Sequence, residues 1–341
     1  MKLLIHGYFG YGNAGDEAIL TALIQEYKAR YPNAEFIVLS VNPQRTCRIH
    51  GVKAVRERLL SLSFWRELLR ANVLVFAGGG RYGYATWRRI ALLALLAKLL
   101  GKSTAFRAVG VYPYEWRGSP IISDRPEAFR GLTATLIKLA LNSADYVSVR
   151  DFYSYAVLRL TGVRSVAFEN DPALGLKIPG PSYCRDLAVK YGLVDGGVLG
   201  INLRTLDDET NRVVVDFVAK LIRNLLSRDF STFIFIPFGF GSFENRFFDD
   251  DLIVARMLKL HIPELKIVAE ELSPLQILCL FNYMNYVIAM RHHAIIFALL
   301  ANKPLTAIIY DTKSLDLLKR LNAKQITYYT VNELINQRLT P

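Results

Sequence analysis

The chain predicts an α/β architecture of two Rossmann-like halves facing a central cleft, and three observations carry that expectation. Short β-rich runs alternate with helix-period segments from end to end, the signature of βαβ units and parallel sheets. The 341 residues exceed the size at which a single hydrophobic core stops growing. One Pro- and Gly-rich stretch, Ile178-Pro179-Gly180-Pro181-Ser182, divides the alternation into two series. The expected domains are residues 1–178 and 183–341.

In the first series the apolar runs Leu3–His6, Glu35–Val41, Val73–Ala77, Thr104–Val111 and Tyr146–Val149 read as strands. The segments Asp16–Tyr31, Thr86–Leu100 and Arg130–Asn142 read as helices between them, with a further helix from Phe152. The second series gives strands at Val198–Leu203, Thr232–Pro237, Lys266–Ala269, Tyr286–Met290 and Leu305–Tyr310, and helices near 211–227, 247–260, 273–282 and 293–301.

Composition narrows the class. The content of 52% hydrophobic residues is ample for two cores. The amino-terminal apolar run is too short for a signal-peptide core, and the longest one, Ile90 to Leu100, is interrupted by Lys98 and too short to span a bilayer. Cys47, Cys184 and Cys279 show no disulfide or metal spacing, and an odd count argues against a stapled secreted framework. A reducing cytoplasm is the expected compartment. The net charge of +12 is concentrated in residues 51–140, which hold 15 Lys and Arg against 5 Asp and Glu. Such a field favours an anionic partner: a phosphate-bearing small molecule, an anionic lipid surface or nucleic acid. Phe64, Trp65, Arg66, Trp87, Arg88 and Arg89 mix aromatics with cations there, which suits a membrane interface or a sugar platform.

Candidate chemistry gathers at strand ends. The first βα turn, Gly7 to Glu17, has four glycines in a spacing that is neither the dinucleotide fingerprint nor a Walker loop, so NAD and ATP are not expected. Tyr8, Phe9 and Tyr11 would stack on sugar faces. Asp16 reads equally as a helix cap and as a ligand for hydroxyls. Gly78-Gly79-Gly80, after Val73–Ala77, suggests a backbone that admits a ligand closely. Arg150, Arg204 and Arg291 each stand at a predicted carboxyl end, where open parallel sheets bind ligands, and together could neutralise a polyanion. Arg291-His292-His293 joins a guanidinium fork to imidazoles, with His293 on the first turn of the following helix as the candidate proton carrier. No metal-ligand set is visible.

These residues resemble the polysaccharide pyruvyl transferase family. The resemblance rests on residues 7–20, Gly78-Gly79-Gly80, Ser148-Val149-Arg150-Asp151, Asp171-Pro172-Ala173, residues 290–298 and Tyr310-Asp311-Thr312-Lys313, which follow the family's order over residues 3–320. It implies a GT-B-like fold and a transferase that needs no resident cofactor. Phosphoenolpyruvate is the co-substrate, a cyclic ketal forms across two sugar hydroxyls, commonly the 4- and 6-positions, and phosphate leaves. The acceptor is expected to be a lipid-linked glycan of the cell envelope, with peripheral contact at the inner membrane face and no nucleic acid. The donor would be held by Arg150, Arg204, Arg291 and Lys313, with His293 and Arg291 catalytic. The acceptor would meet Phe9, Tyr11, Asn13, Asp16, Arg58, Gly79 and Gly80. The chain departs from the family at His292, where an apolar residue is usual, and at Arg81-Tyr82-Gly83-Tyr84, where Leu-Leu-Gln-Asp is usual. A glycosyltransferase using a nucleotide sugar is the chief rival, and a basic glycan- or nucleic-acid-binding protein the non-enzymatic one.

Overall fold

A computed structural model describes residues 1–58, 61–116, 118–123, 125–226, 230–241, 250–321 and 326–339. The chain forms two compact units. Unit 1 holds Met1–Tyr11, Asp16–Arg117 and Ser123–Gly175, and unit 2 holds Gly12–Gly15, Gly118–Ile122 and Leu176–Pro341.

Unit 1 is built on a parallel sheet of β1 (Lys2–His6), β2 (Glu35–Ser40), β3 (Lys53–Arg56), β4 (Val73–Phe76), β5 (Gly79–Tyr82), β6 (Ser103–Tyr112), β7 (Tyr146–Val149) and β8 (Ala167–Phe168). The order is β3-β2-β1-β4-β6-β7-β8, with β5 pairing β6. Its helices are α1 (Ala14–Arg30), α2 (Pro43–His50), α3 (Leu62–Arg70), α4 (Tyr84–Leu99), α5 (Gly131–Ser143) and α6 (Phe152–Thr161). Strands β1, β4 and the end of β2 are buried on both faces, which is why they read as unbroken apolar runs.

Unit 2 opens with α7 (Pro181–Tyr191). Its parallel sheet consists of β9 (Val198–Asn202), β10 (Thr232–Phe235), β11 (Lys266–Ile267), β12 (Tyr286–Ala289), β13 (Leu305–Ile309) and β14 (Thr327–Thr330), in the order β11-β10-β9-β12-β13-β14. The helices after α7 are α8 (Asp208–Leu226), α9 (Asp251–His261), α10 (Pro274–Asn282), α11 (His292–Leu300), α12 (Thr312–Arg320) and α13 (Val331–Leu339). The sequence placed the helix now called α9 at 247–260; residues 247–249, and residue 227 of the helix expected at 211–227, lie outside the described residues.

In both units the first strand has the second on one side and the fourth on the other. The order reverses between β1 and β4, and again between β9 and β12, and such switch points are where open α/β sheets bind ligands.

Two expectations are corrected here. Cys184 on α7 and Cys279 on α10 form a disulfide, and Cys47 is the free, exposed cysteine. The pair is 95 residues apart, so only the packing of α7 on α10 reveals it. The stretch 178–182 is not wholly a linker, because Pro181 is the first residue of α7, where its missing N–H costs nothing.

Candidate functional site

The unit 2 site grows from the ends of β9 and β12. Asn202, the last residue of β9, donates from Nδ2 to the Ile236 carbonyl at 2.8 Å and accepts the Arg291 N–H at 3.1 Å. It thereby ties three strand ends together. Arg291 is the N-cap residue of α11. Its Nε and Nη2 donate to the Asp251 carboxylate at 2.7 and 2.6 Å. Asp251, itself fully buried, also accepts the Phe238 and Gly239 N–H groups at 2.9 and 3.0 Å. The two-pronged grip expected of Arg291 is made here on a protein carboxylate, that of Asp251. The Nε–Nη2 edge of its guanidinium is taken by Asp251, which fixes the side chain at the β12–α11 junction.

The two histidines have different surroundings. His292 Nδ1 lies 3.2 Å from the Ser314 hydroxyl, on the side of Asp311 and Lys313. Burial alone would raise the Asp311 carboxyl. The Lys313 ammonium, 3.1 Å away, together with His292 and hydrogen bonding from Ser314, overrides burial and holds it well below the usual carboxylate range. Lys313 therefore has Asp311 as its counter-ion. His293 faces the glycine-rich segment instead. A Cβ placed on Gly15 would stand 2.1 Å from His293 Nδ1. Within unit 2, Gly12–Gly15 is held by the Ala14 N–H, which donates to the Phe238 carbonyl at 2.8 Å, and by a bridge from Asn13 to Gly239. Asn13, expected on the acceptor side, falls in unit 2. Arg204 donates from Nη1 to the Tyr310 hydroxyl at 2.8 Å, with its guanidinium carbon 5.3 Å from the centre of that ring.

The unit 1 site lies at the ends of β1, β3 and β5. Phe9 is fully buried, and a Cβ on Gly7 would meet its ring at 2.1 Å, so its expected role as a sugar platform is corrected to a core role. Tyr8 and Tyr11 do stack, with ring centres 3.9 Å apart. Glu17 fastens the loop, accepting the Gly10 N–H at 2.8 Å and lying 2.7 Å from His50 Nε2. Gly79 has a φ of +118°, and a Cβ there would stand 2.4 Å from Asp16 Oδ1. The Gly-Gly-Gly run is crowded by protein: Gly80 pairs with Gly110 in β6, and a Cβ on Gly80 would meet the Tyr82 ring at 2.8 Å.

Sequence reasoning passed over Glu57 and Arg81. Arg81 is buried, its attraction to Asp16 and Glu57 opposing a burial that lowers its pKa. Its Nη2, like His6 Nδ1, has no hydrogen-bond partner among the described residues. Burial would raise the Glu57 carboxyl, but His6, 3.2 Å away, with Arg89 and Arg81, lowers it to about 2. Arg58 is exposed beside this cluster. The departure from the family's pattern at position 81 was the available signal. Glu57 gave none, because only the short strand β3 brings it to the sheet edge.

Arg150, expected to hold the donor, has a protein partner. It and Asp171 are buried together as an ion pair within unit 1, joining two of the sequence blocks singled out above. Asp151 caps α6 through the Ser154 N–H at 2.7 Å and accepts the Tyr112 hydroxyl at 3.0 Å.

Two parallel-sheet units with their strand order reversing at the centre define a GT-B-like fold. The model of the polysaccharide pyruvyl transferase family matches residues 13–312, and the chain belongs to that family. Similar solved structures include the HepE protein of Anabaena in complex with UDP, at 14% identity over 98% of this chain and 89% of that one, with a TM-score of 0.56. A glycosyltransferase from Rickettsia africae matches at 10% identity over 99% and 87%, with a TM-score of 0.57. A UDP-GlcNAc 2-epimerase from Methanocaldococcus jannaschii matches at 12% identity over 98% and 91%, with a TM-score of 0.54. At these identities the likeness is one of fold. No curated protein matches the chain in sequence.

Proposed function

We propose that the protein transfers a pyruvyl group from phosphoenolpyruvate to two hydroxyls of one sugar in a cell-envelope glycan precursor, as a cyclic ketal, with release of phosphate. The observation that carries the reading is His293 at the amino end of α11, on unit 2's switch point, in the same unit as Arg204 and Lys313. Arg204, Lys313 and the amino ends of α11 and α12 supply the positive field for a carboxylate and a phosphate. Arg291 holds the junction in place, and Arg150, committed to Asp171, leaves the donor set. Phosphoenolpyruvate is a co-substrate, and no resident cofactor or metal is part of the reading.

A proton from His293 to the methylene carbon would make the methyl group and leave an oxocarbenium-like centre. One sugar hydroxyl adds there and gives up its proton. The second hydroxyl displaces phosphate, which leaves carrying that hydroxyl's proton while the first hydroxyl's proton restores His293, and the ketal ring closes. On the acceptor side, Asp16 and Glu57 accept hydroxyl protons and Arg81 Nη2 donates, with the Tyr8–Tyr11 stack as the apolar platform and Gly79 leaving the room that Asp16 occupies. The acceptor is a lipid-linked glycan, and the protein works from the cytoplasm at the inner membrane face, without nucleic acid. Among the described residues no helix is long and apolar enough to cross a membrane.

The test is acceptor-dependent phosphate release from phosphoenolpyruvate, with the ketal identified by mass spectrometry. Turnover of a nucleotide sugar without phosphoenolpyruvate would replace this reading by glycosyl transfer.

A further inference from the structure

We propose that the outer surface of α3, α4 and α5 docks unit 1 on an anionic lipid bilayer. The proposal sharpens the membrane contact named above and is independent of the transfer chemistry.

Helix α3 joins β3 to β4, α4 leads from β5 into β6, and α5 joins β6 to β7. All three crossovers advance toward the same edge of the sheet, so right-handed connections put the three helices on one face. Their inner sides share one core, through Phe64 and Leu68 of α3, Trp87 and Ile90 of α4 and Ile137 of α5. Their outer sides repeat one device. Leu62 and Leu69, Leu92 and Leu99, and Leu132 and Leu139 are each seven residues apart and 53–89% exposed. That spacing puts both leucines of a pair on the same side of the helix, about 10 Å apart. Two such leucines on one helix are ordinary. Three consecutive helices with the same exposed pair form a patch that water disfavours.

Charge identifies the occupant. Arg66, Arg70, Arg88, Arg89 and Lys138 are exposed on these helices. The carboxylate the three helices contain is Glu67, which is fully buried under Lys2, Lys53 and Arg66. Asp145, in the loop after α5, is paired with Lys98 at 3.1 Å. Leucines set among cations, on three helices that carry no exposed carboxylate and beside an Asp145 already paired with Lys98, match the apolar and anionic layers of a lipid surface. A second copy of the chain would set cations against cations, and nucleic acid would leave the leucines in water.

The experiment is co-sedimentation of the full chain with phosphatidylcholine vesicles, with and without phosphatidylglycerol. Binding is expected only when phosphatidylglycerol is present. Arg88→Gln and Lys138→Gln should each weaken it about five-fold, and Leu62→Asn with Leu99→Asn by about ten-fold or more. Melting temperature and phosphate release with a soluble acceptor should stay as in the parent, so a failed transfer reading and a failed docking reading give different results. Absence of binding to phosphatidylglycerol vesicles overturns the proposal, as does binding that these variants leave unchanged. A concentration-dependent dimer abolished by the leucine variant, without vesicle binding, would assign the face to self-association instead.

Discussion

Units 1 and 2 use the same strand order at their centres, yet their switch points have opposite chemistry. In unit 1, two carboxylates, Asp16 and Glu57, surround one buried cation, Arg81. In unit 2, Arg204 and Lys313 stand in the same unit as His293, and Asp251 and Asp311 serve as internal counter-ions. Each unit also contains a glycine whose missing side chain makes room for a functional group: Gly79 for Asp16, and Gly15 for His293. The topology supplies the location, while a few residues at the strand ends decide whether it suits hydroxyls or anions.

The largest expected effect separates the two sites by rate. His293→Ala should lower turnover by about 10²–10⁴-fold with the fold intact. Gly15→Ala should cost about 10²-fold by displacing the His293 ring. Steady-state kinetics beside thermal melts check both, and a Gly15→Ala enzyme with full activity would separate the loop from the histidine.

The next effect is on stability. Asp251→Asn leaves the buried Arg291 without its counter-ion and should cost about 3–5 kcal/mol, read by denaturant titration. A loss below about 1 kcal/mol would show that Arg291 has another partner and revive it as a donor ligand.

A smaller effect probes unit 1. Arg81→Gln should raise KM for the acceptor by about ten-fold, a loss of about 1.4 kcal/mol, while KM for phosphoenolpyruvate stays put. A shift in the donor constant instead would erase the contrast between the units.

The smallest effect is a pH dependence. The Glu57 carboxyl is lowered from 4.5 to about 2 in the fold. Its stabilisation is therefore complete above about pH 4.5 and is lost as the pH falls toward 2. Melting curves across that window should be flatter for Glu57→Gln than for the parent, and identical slopes would show that the His6–Glu57 pair contributes nothing.

The contrast also explains what could be read from the chain. Strands such as β1, β4, β9 and β12 were legible because burial on both faces leaves a continuous apolar run, and the Arg-His-His block was legible because it follows such a run. Strand β3 begins and ends on charged residues, and β5 is half glycine, so neither carries a period-2 apolar signal. Missing them concealed Glu57 and Arg81. The partners of Arg150 and Arg291, Asp171 and Asp251, are 21 and 40 residues away, and no local pattern reports a tertiary ion pair. Phe9 failed for the same reason: an aromatic in a glycine loop looks exposed until the fold closes over it.

Acceptor-dependent conversion of phosphoenolpyruvate by the purified chain tests the account most directly, with phosphate and ketal measured together. The account predicts one phosphate per ketal, lost in His293→Ala and retained at saturating acceptor in Arg81→Gln. Phosphoenolpyruvate left unconsumed with every glycan acceptor tried, alongside turnover of a nucleotide sugar, would contradict it.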